Sequence, residues 1–378
     1  MSWNPGVRGV VRLSPAVRWL TLIQSVLLAR SANLMYKLLA CFLTASLAPA
    51  QTVPAGDVVG VGNFIHVVAN LDKSLEFYHD VLGMDLQRAP GAQAPTGPRP
   101  FLSGPEVPRL YNAVGAQYRV LSALVPESPM RAELVEFKDV DRKAVRPRVQ
   151  DPGASILVLT VRDLAPIMAR VKKSAATVVT SGGGPVPVGG GSQAVLLSDP
   201  DGFFVELVRR NPTPATKAAA DSTFIDVGFT FVVSDTNRMV QVFKDALGFQ
   251  PQTGAVATDK ALERLLGVRG MPVRRTTATV PGTSFRVEFL EFKGTDRKLV
   301  HSRLQDPGSA VLRLLVRDVD ATVKKLDSSG VKVASAGGEV ITLPGGNTTI
   351  RAAITSAPDN LFVQVLQAAT PPAQQFQK

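Results

Sequence analysis

The chain of 378 residues contains two copies of one long segment. Residues 133–163 align with residues 288–318 at a constant offset of 155, and 18 of these 31 positions are identical. The shared pattern reads Glu-Phe-Lys-x-x-Asp-Arg-Lys-x-Val-x-x-Arg-x-Gln-Asp-Pro-Gly. Identity this high between two parts of one chain indicates a duplicated domain. The length agrees, since about 150 residues per domain predicts two domains.

A shorter pattern occurs twice in each copy. An apolar strand ends at an Asn or Asp residue that suits a helix N-cap, because its side chain can accept from the free amides of the first turn. The four caps are Asn70, Asp163, Asp235 and Asp318. Helical spacing of apolar residues follows each cap, and short alternating segments follow each helix. The sequence therefore predicts a strand, a helix and about three strands, four times over.

The repeat sets the domain boundaries. We expect a first domain at residues 57–210 and a second at 222–368. The linker at 211–221 is rich in Pro, Thr and Ala, and such a composition is typical of a connection between domains. The Gln- and Pro-rich residues 369–378 are expected to form a flexible tail.

The N-terminal 50 residues have the pattern of an export signal. A short basic region from Met35 precedes an apolar run, and Ala48-Pro49-Ala50 forms a small-x-small cleavage motif. We predict a bacterial-type signal peptide that is cleaved after Ala50, with residues 1–34 as an over-extended start. A membrane-anchored N-terminus is the alternative, but charged residues interrupt the run. The expected location is periplasmic or secreted, without a stable membrane span after cleavage.

Charge and cysteine content exclude several classes of function. The formal net charge is +11, of which the first 50 residues carry +5. The remaining basic residues are scattered among acidic ones, so no basic stripe predicts nucleic-acid binding. Cys41 is the single cysteine. Its removal with the signal excludes disulfides, thiol nucleophiles and thiolate zinc sites from the mature chain.

Two segments of the first domain resemble a known family. Residues 70–83, around one predicted helix, and residues 199–207, Asp-Pro-Asp-Gly followed by a strand, are similar to the vicinal-oxygen-chelate superfamily. This family includes glyoxalase I, bleomycin-resistance proteins and extradiol dioxygenases. Residues 357–364 are a weaker counterpart in the second domain.

The resemblance implies an α+β fold. Paired βαβββ modules would form cupped mixed sheets with the helices outside, and the site would lie inside the cup. With two modules in each domain, we expect each domain to form one cup and the two domains to form an intramolecular pseudo-dimer. The sequence leaves further oligomerisation open.

The resemblance also implies where a metal would be bound. The family's ligand positions fall in the first domain on Asn63, Glu133, Ile156 and Glu206, and in the second on Gly228, Glu288, Val311 and Gln364. A divalent metal needs roughly three nitrogen or oxygen donors, and Ile156, Gly228 and Val311 have none in their side chains. We therefore expect no metal cofactor.

One alternative keeps a divalent metal in the first domain. Glu133 and Glu206 would bind it together with Asn63 or His66. Strand alternation, however, places His66 on the opposite face from Asn63, toward the helices. Only a bulge or a shifted register would turn it into the cup.

Two functions follow from these alternatives. The first is a metal-free protein that binds a small molecule with the cup-lining residues, which are Asn63, Glu133, Glu206, Glu288 and Gln364. The second is a metal-dependent lyase, isomerase, epimerase or dioxygenase with its site in the first domain. The fold alone does not choose between them, and the ligand is not identified by the sequence.

The repeated connector between modules has two interpretations. Its arginines could clamp an anion at the mouth of a cup, or they could brace the connector through Asp residues. We favour bracing; the arginines are Arg142, Arg148, Arg297 and Arg303. Two further segments, 89–108 and 259–275, are expected to be either flaps over the cups or inert surface insertions.

Overall fold

The computed structural model describes residues 57–86, 99–125, 130–216, 218–294, 296–345 and 348–368. The expected signal peptide, the C-terminal tail and residues 89–98 of the first expected flap lie outside these residues. Within the described ranges, no helix is both long and apolar enough to cross a membrane.

The first half of the chain forms two modules. Module 1 comprises β1 (Val58–Val67), α1 (Leu71–Leu75, continued by a π-helical turn at Glu76–Val81), α2 (Glu106–Leu110), β2 (Gln117–Leu124) and β3 (Arg131–Lys138). Module 2 comprises β4 (Ser155–Val161), α3 (Ala165–Val171), β5 (Thr177–Val178), β6 (Val186–Pro187), β7 (Gln193–Ser198) and β8 (Phe204–Arg209).

The second half repeats this order. Module 3 comprises β9 (Phe224–Val232), α4 (Thr236–Asp245), β10 (Gln252–Ala257), α5 (Lys260–Leu266), β11 (Val273–Thr279) and β12 (Arg286–Phe292). Module 4 comprises β13 (Ala310–Val316), α6 (Val319–Ser328), β14 (Lys332–Val333), β15 (Ile341–Gly345), β16 (Thr348–Ala357) and β17 (Leu361–Ala368), with short 3₁₀ turns at Ala336–Gly338 and Pro358–Asn360.

The predicted caps begin the long helices. Asn70, Asp235 and Asp318 adopt extended backbone angles, and each side chain accepts a hydrogen bond from an amide of the first helical turn. Asp163 accepts from the amide of Ala165 in the same way, at 3.0 Å. These bonds satisfy amides that the helix itself leaves without partners. The cap pattern in the sequence thus correctly located all four module helices.

The four modules pair crosswise into two mixed sheets. Modules 1 and 4 form the terminal sheet, in the order β14-β16-β17-β13-β1-β3-β2, with β15 paired to β16. Modules 2 and 3 form the central sheet, in the order β10-β11-β12-β9-β4-β8-β7-β5, with β6 paired to β7. The antiparallel pairs β1–β13 and β4–β9 join the modules. We call the concave faces of these sheets the terminal cup and the central cup.

The expectation that each domain forms its own cup is therefore wrong. Each cup takes one module from each copy of the repeat. The paired βαβββ architecture and its duplication are confirmed, but the copy visible in the sequence is not the unit that closes a sheet. The strand pattern predicts which face of a strand is buried and does not predict which strand lies beside it.

The helices lie between the two sheets, against their convex faces. One apolar core contains residues from β1, β4, β9 and β13 together with residues of α1, α3, α4 and α6. Phe64 of the terminal sheet packs on Phe229 of the central sheet, with ring centroids 5.2 Å apart. Two smaller apolar cores fill the concave faces. Both cups therefore open away from the shared core.

The two repeated connectors cross each other at the centre of the molecule. The amide of Val145 donates to the carbonyl of Pro307, and the amide of Val300 donates to the carbonyl of Pro152. The Asp-Pro-Gly turn of each copy thus accepts a backbone hydrogen bond from the connector of the other copy. This crossing joins module 1 to module 4 and module 2 to module 3.

Gly308 is required by this crossing. Its φ is +96°, which favours glycine, and a Cβ atom built there would lie 2.2 Å from the carbonyl oxygen of Val145. Gly182 has a similar φ of +88° but faces open space. The two positions share a backbone conformation and differ in crowding.

We predict that Gly308→Ala destabilises the protein more than Gly182→Ala does. The Gly182 variant should lose about 1–2 kcal/mol of unfolding free energy from its left-handed conformation alone. The Gly308 variant must also separate the two connectors and should lose clearly more. Urea denaturation of both variants measures the difference, and equal losses would contradict the close crossing.

Candidate functional site

The floor of the terminal cup is a charged cluster. Glu133 on β3 accepts two hydrogen bonds from the Arg313 guanidinium, each 3.1 Å long. Asn63 on β1 donates to the same carboxylate, and Arg313 Nε donates to Gln364 Oε1 at 2.7 Å. Asn63, Glu133 and Gln364 are three of the positions at which the resemblance places metal ligands. The structure brings these three together around an arginine.

Arg313 was missed by the sequence analysis. It lies on β13, two residues after Val311, and alternation turns both side chains to the concave face. The equivalent residue of module 2 is Val158, so the repeat gave no indication of a role. The available signal was a single Arg within an otherwise apolar strand.

A pocket opens above this floor. It encloses about 780 Å³ including its solvent-open mouth, and its walls are mostly apolar. The lining residues are Glu106, Val107, Leu110, Tyr111, Tyr118, Val120, Glu133, Val135, Arg313, Leu343, Pro344, Ile350 and Leu366. Helix α2 forms one wall, so the described end of the first expected flap does cover a cup.

The central cup has the same carboxylate positions but a different arrangement. Glu288 on β12 pairs with Arg275 on β11, with an Nε–Oε1 distance of 2.5 Å. Burial, followed by the nearby charge of Glu288, raises the pKa of Glu206 to about 7, although Arg275 and Arg210 oppose this shift. Glu206 therefore titrates near neutrality.

The second expected flap fills the central cup. Leu262, Leu265 and Leu266 of α5 join Ile156, Phe204 and Phe292 in one apolar cluster on the concave face. Thr180 also donates to the carbonyl of Leu265 at 2.9 Å. Segment 259–275 is thus not an inert insertion, because its helix α5 fills the central cup; we call α5 the plug. The two cups therefore differ: the terminal one has an open pocket, and α5 packs into the central one.

The alternative metal site of the sequence analysis does not assemble. Glu133 lies in the terminal cup and Glu206 in the central cup, because modules 1 and 2 belong to different sheets. His66 is fully buried on the helix side of β1, as alternation predicts. These three residues cannot bind one ion.

His66 instead belongs to a buried polar cluster between the sheets. Its Nε2 lies 2.9 Å from Asp199 Oδ2, although the contact falls outside hydrogen-bond angles. Tyr78 donates to the same carboxylate oxygen at 3.2 Å. Asp201 accepts from the amide of Ala69. His66, Asp199 and Asp201 are close enough together for a metal ion, and the sequence analysis had interpreted the two aspartates only as a turn.

Within the part of the chain that the structure describes, the equivalent positions of the other half form no such cluster. By the repeat, Phe231, Phe243 and Ala357 stand in place of His66, Tyr78 and Asp199. Asp359 replaces Asp201 and keeps its structural role, since it accepts from the amide of Ser234 at 2.8 Å. The fold therefore needs the aspartate that caps the strand end, and it tolerates an apolar side chain in place of the other three residues.

Hydrogen bonding requires a positive charge at His66. Its Nδ1 faces the carbonyl oxygen of Ser309 at 3.2 Å, and a carbonyl can only accept, so Nδ1 carries a proton. Nε2 then faces a carboxylate, which a bare lone pair would repel. A second proton, on Nε2, makes the ring positively charged, and the ring is then attracted to the carboxylate. Burial lowers the pKa of His66, but the negative charges of Asp199 and Asp201 act against burial, and the net shift of the pKa is upward.

The connector arginines bind the protein itself. Arg148 pairs with Asp151 and with Asp296 of the other connector, and Arg303 makes the equivalent contacts with Asp306 and Asp141. Arg142 and Arg297 donate to the carbonyls of Val68 and Val233. These contacts match the bracing interpretation rather than an anion clamp.

We predict that His66 stays doubly protonated above the ordinary histidine pKa of about 6.5. His66 has a raised pKa, so its contribution to stability is complete below about pH 6.5, the ordinary histidine value, and is lost as the pH rises through its folded pKa. Nitrogen NMR of the histidine rings across a pH series measures the protonation of His66 directly. Phe at position 66 should remove this pH dependence. A bare or metal-bound Nε2 in the folded protein would contradict the assignment.

A second pH effect follows from Glu206. Its pKa is raised, so the folded state binds its proton more tightly than the unfolded state does. Stability should fall between about pH 4.5 and pH 7, by on the order of 1–3 kcal/mol. Glu206→Gln should abolish this fall and stabilise the protein above pH 7. Thermal melts across this range test it, with the exposed Glu76→Gln as the control; identical profiles for all three proteins would refute it.

Comparison with known proteins places this geometry in a family. The family model described as the Glyoxalase/Bleomycin resistance protein/Dioxygenase superfamily matches residues 60–207 and 227–343. Two solved structures of low sequence identity share the fold. Glyoxalase I from Zea mays is 16% identical with a TM-score of 0.50, covering 82% of this chain and 92% of the other. A putative dioxygenase from Bacillus subtilis is 14% identical with a TM-score of 0.50, covering 84% and 87%.

Curated relatives are lyases by name. Lactoylglutathione lyase GLX1 of Arabidopsis thaliana is 27% identical over 191 residues, which are 50% of this chain and 55% of that protein. The lactoylglutathione lyase of Oryza sativa subsp. japonica is 24% identical over 187 residues, or 49% and 52%. The chain thus spans about half the length of the curated relatives that it matches. Since the family model covers well over half of the chain in two segments, this protein belongs to the Glyoxalase/Bleomycin resistance protein/Dioxygenase superfamily.

Proposed function

We propose that this chain is an exported, metal-free protein that binds a small molecule in the terminal cup. The position of Arg313 carries the proposal. Its guanidinium already holds Glu133 and Gln364, at the positions where the family resemblance places metal ligands. The pocket directly above has the mostly apolar walls that are typical of a small-molecule site.

The terminal cup does not fit a divalent metal. Arg313 is only slightly exposed and forms a bidentate ion pair with Glu133. A metal ion would have to displace this guanidinium or share the cup with its positive charge. Gln364 and Asn63 contribute only neutral amide groups, and Val311 contributes no donor. The arginine thus supplies the positive charge that a metal would otherwise bring to these side chains.

The central cup does not fit a metal either. It offers Glu206 and Glu288, which are fewer donors than a stable divalent site needs. Glu288 is already neutralised by Arg275, and Ile156 and Gly228 have no donor atoms. The plug formed by α5 also occupies the concave face. We therefore assign the binding function to the terminal cup.

A lyase is the second candidate, and the names of the plant relatives favour it. Lactoylglutathione lyase activity is only a hypothesis for this chain, since the match spans about half of each relative. Isomerase, epimerase and dioxygenase activities are further options within the same family. All of the metal-dependent versions require a donor set that neither cup provides. Export remains a prediction from the residues before Gln51.

The binding proposal predicts that filling the pocket abolishes ligand binding. Val120→Phe adds a ring inside the terminal pocket, and Val158→Phe adds the same ring in the central cup. Binding of the neutral apolar dye 1-aminoanthracene, followed by fluorescence, should weaken at least about tenfold in the first variant. It should be unchanged in the second. Thermal melts verify that both variants fold.

Metal analysis of the same preparations separates the two candidates. The protein purified without chelators should contain no stoichiometric nickel, zinc, iron or manganese. Near-stoichiometric metal that disappears in Glu133→Gln would refute the metal-free proposal and favour the lyase. Equal dye binding by both phenylalanine variants would refute the terminal cup as the ligand site.

A further inference from the structure

Unpartnered polar atoms collect at the floor of the terminal cup. Six buried side-chain nitrogen or oxygen atoms lack a hydrogen-bond partner among the described residues. Three of them lie on this one concave face: Tyr111 Oη, Ser122 Oγ and Gln364 Nε2. Buried polar atoms are rarely left without a partner. Their grouping beside an open pocket indicates a partner that enters through the pocket.

The three atoms surround the ion pair. Gln364 uses its oxygen on Arg313, which leaves its amide nitrogen free to donate. Ser122 is the strand partner of Glu133 across β2 and β3. Tyr111 lines the pocket itself, and the charges of Glu133 and Arg313 both act on its hydroxyl, whose pKa is raised mainly by burial. All three can donate a hydrogen bond.

The floor of the terminal cup has more unused hydrogen-bond donors than unused acceptors. Arg313 has five N–H groups, and three of them bind Glu133 and Gln364 within the described structure. Both oxygens of Glu133 already accept from Arg313, and one also accepts from Asn63. Tyr111 and Ser122 could also accept, but the free N–H groups of Arg313 and Gln364 can only donate, so a ligand with an acceptor oxygen satisfies this floor best.

The charges exclude an anion as the preferred ligand. Glu133 and Arg313 neutralise each other, and the remaining charged residue in the lining is Glu106. The lining thus carries a net charge of −1. A ligand carboxylate would meet this negative charge and would have to compete with Glu133 for the guanidinium. A neutral oxygen accepts the free N–H and O–H groups without either cost.

We propose that the ligand is a neutral, largely apolar molecule with a carbonyl-type oxygen, such as an amide, a ketone or an ester. The oxygen accepts from Tyr111 and Arg313, and the apolar part lies between α2 and β15. This inference rests on the proposed binding function and specifies its ligand class. Tyr111 becomes a specificity-determining residue of the terminal cup.

Three compounds with the same eight-carbon chain test the head group. Octanamide is a neutral acceptor, octanoate is an anionic acceptor, and octylamine is a cation without an acceptor oxygen. Each competes with 1-aminoanthracene for the wild-type protein. Octanamide should bind the most tightly. Tightest binding by octanoate or octylamine would overturn the ligand class, and it would leave the pocket itself supported.

Tyr111→Phe tests the proposed hydrogen bond. It removes only the hydroxyl, so octanamide affinity should fall about three- to tenfold while octylamine affinity stays constant. Without ligand, this variant should melt no lower than the wild type, because an unsatisfied hydroxyl has been removed. Tyr78→Phe, between the sheets, is the matched control and should leave all three affinities unchanged.

The remaining outcomes separate the two proposals. Unchanged octanamide affinity in Tyr111→Phe would overturn the role of Tyr111. Failure of every octyl compound to displace the dye, while Val120→Phe still abolishes dye binding, would overturn the ligand class alone. An unchanged affinity for the dye in Val120→Phe would overturn the proposed function and this inference together.

Discussion

The structure depends on the antiparallel pairing of strands from different copies of the repeat. β1 pairs with β13, and β4 pairs with β9. This pairing decides which side chains share a cup, and the crossed connectors enforce it through backbone contacts that only glycine permits at Gly308. A duplicated sequence has thus produced two composite sheets. Each cup contains one module from each copy.

The two cups illustrate the consequence. In the terminal cup, an arginine from module 4 pairs with the glutamate of module 1, which also accepts from the asparagine of module 1, so two copies contribute one ion-paired floor. In the central cup, the residue equivalent to Arg313 is Val158, and the glutamate of module 3 takes its arginine from β11 instead. Glu206 is then left with a raised pKa. The terminal cup is thus open above an ion-paired floor, whereas helix α5 fills the central cup.

Much of the local structure was predictable from the sequence. The four caps, the strand faces and the position of His66 followed from hydrogen-bonding capacity and alternation. The pairing of modules did not, since nothing in a strand's own pattern specifies its neighbour. Arg313, Tyr111 and the aspartate partners of His66 were missed for the same reason. Their importance comes from residues far away in the chain, and those contacts exist only once the sheets have formed.

Crosswise pairing also fixes the order in which the two cups can be completed. Modules 2 and 3 are contiguous in the chain, so the central sheet has all of its strands once β12 has been made. The terminal sheet joins the first module to the last and must wait for β17. Until β13 has been made, β1 lacks the neighbour that covers its outer edge, and long-range pairing of this kind is slow. A chain interrupted before residue 361 would lack Gln364 of the floor and Leu366 of the pocket lining. The pocket of the terminal cup is therefore completed during synthesis only after the central sheet has all of its strands.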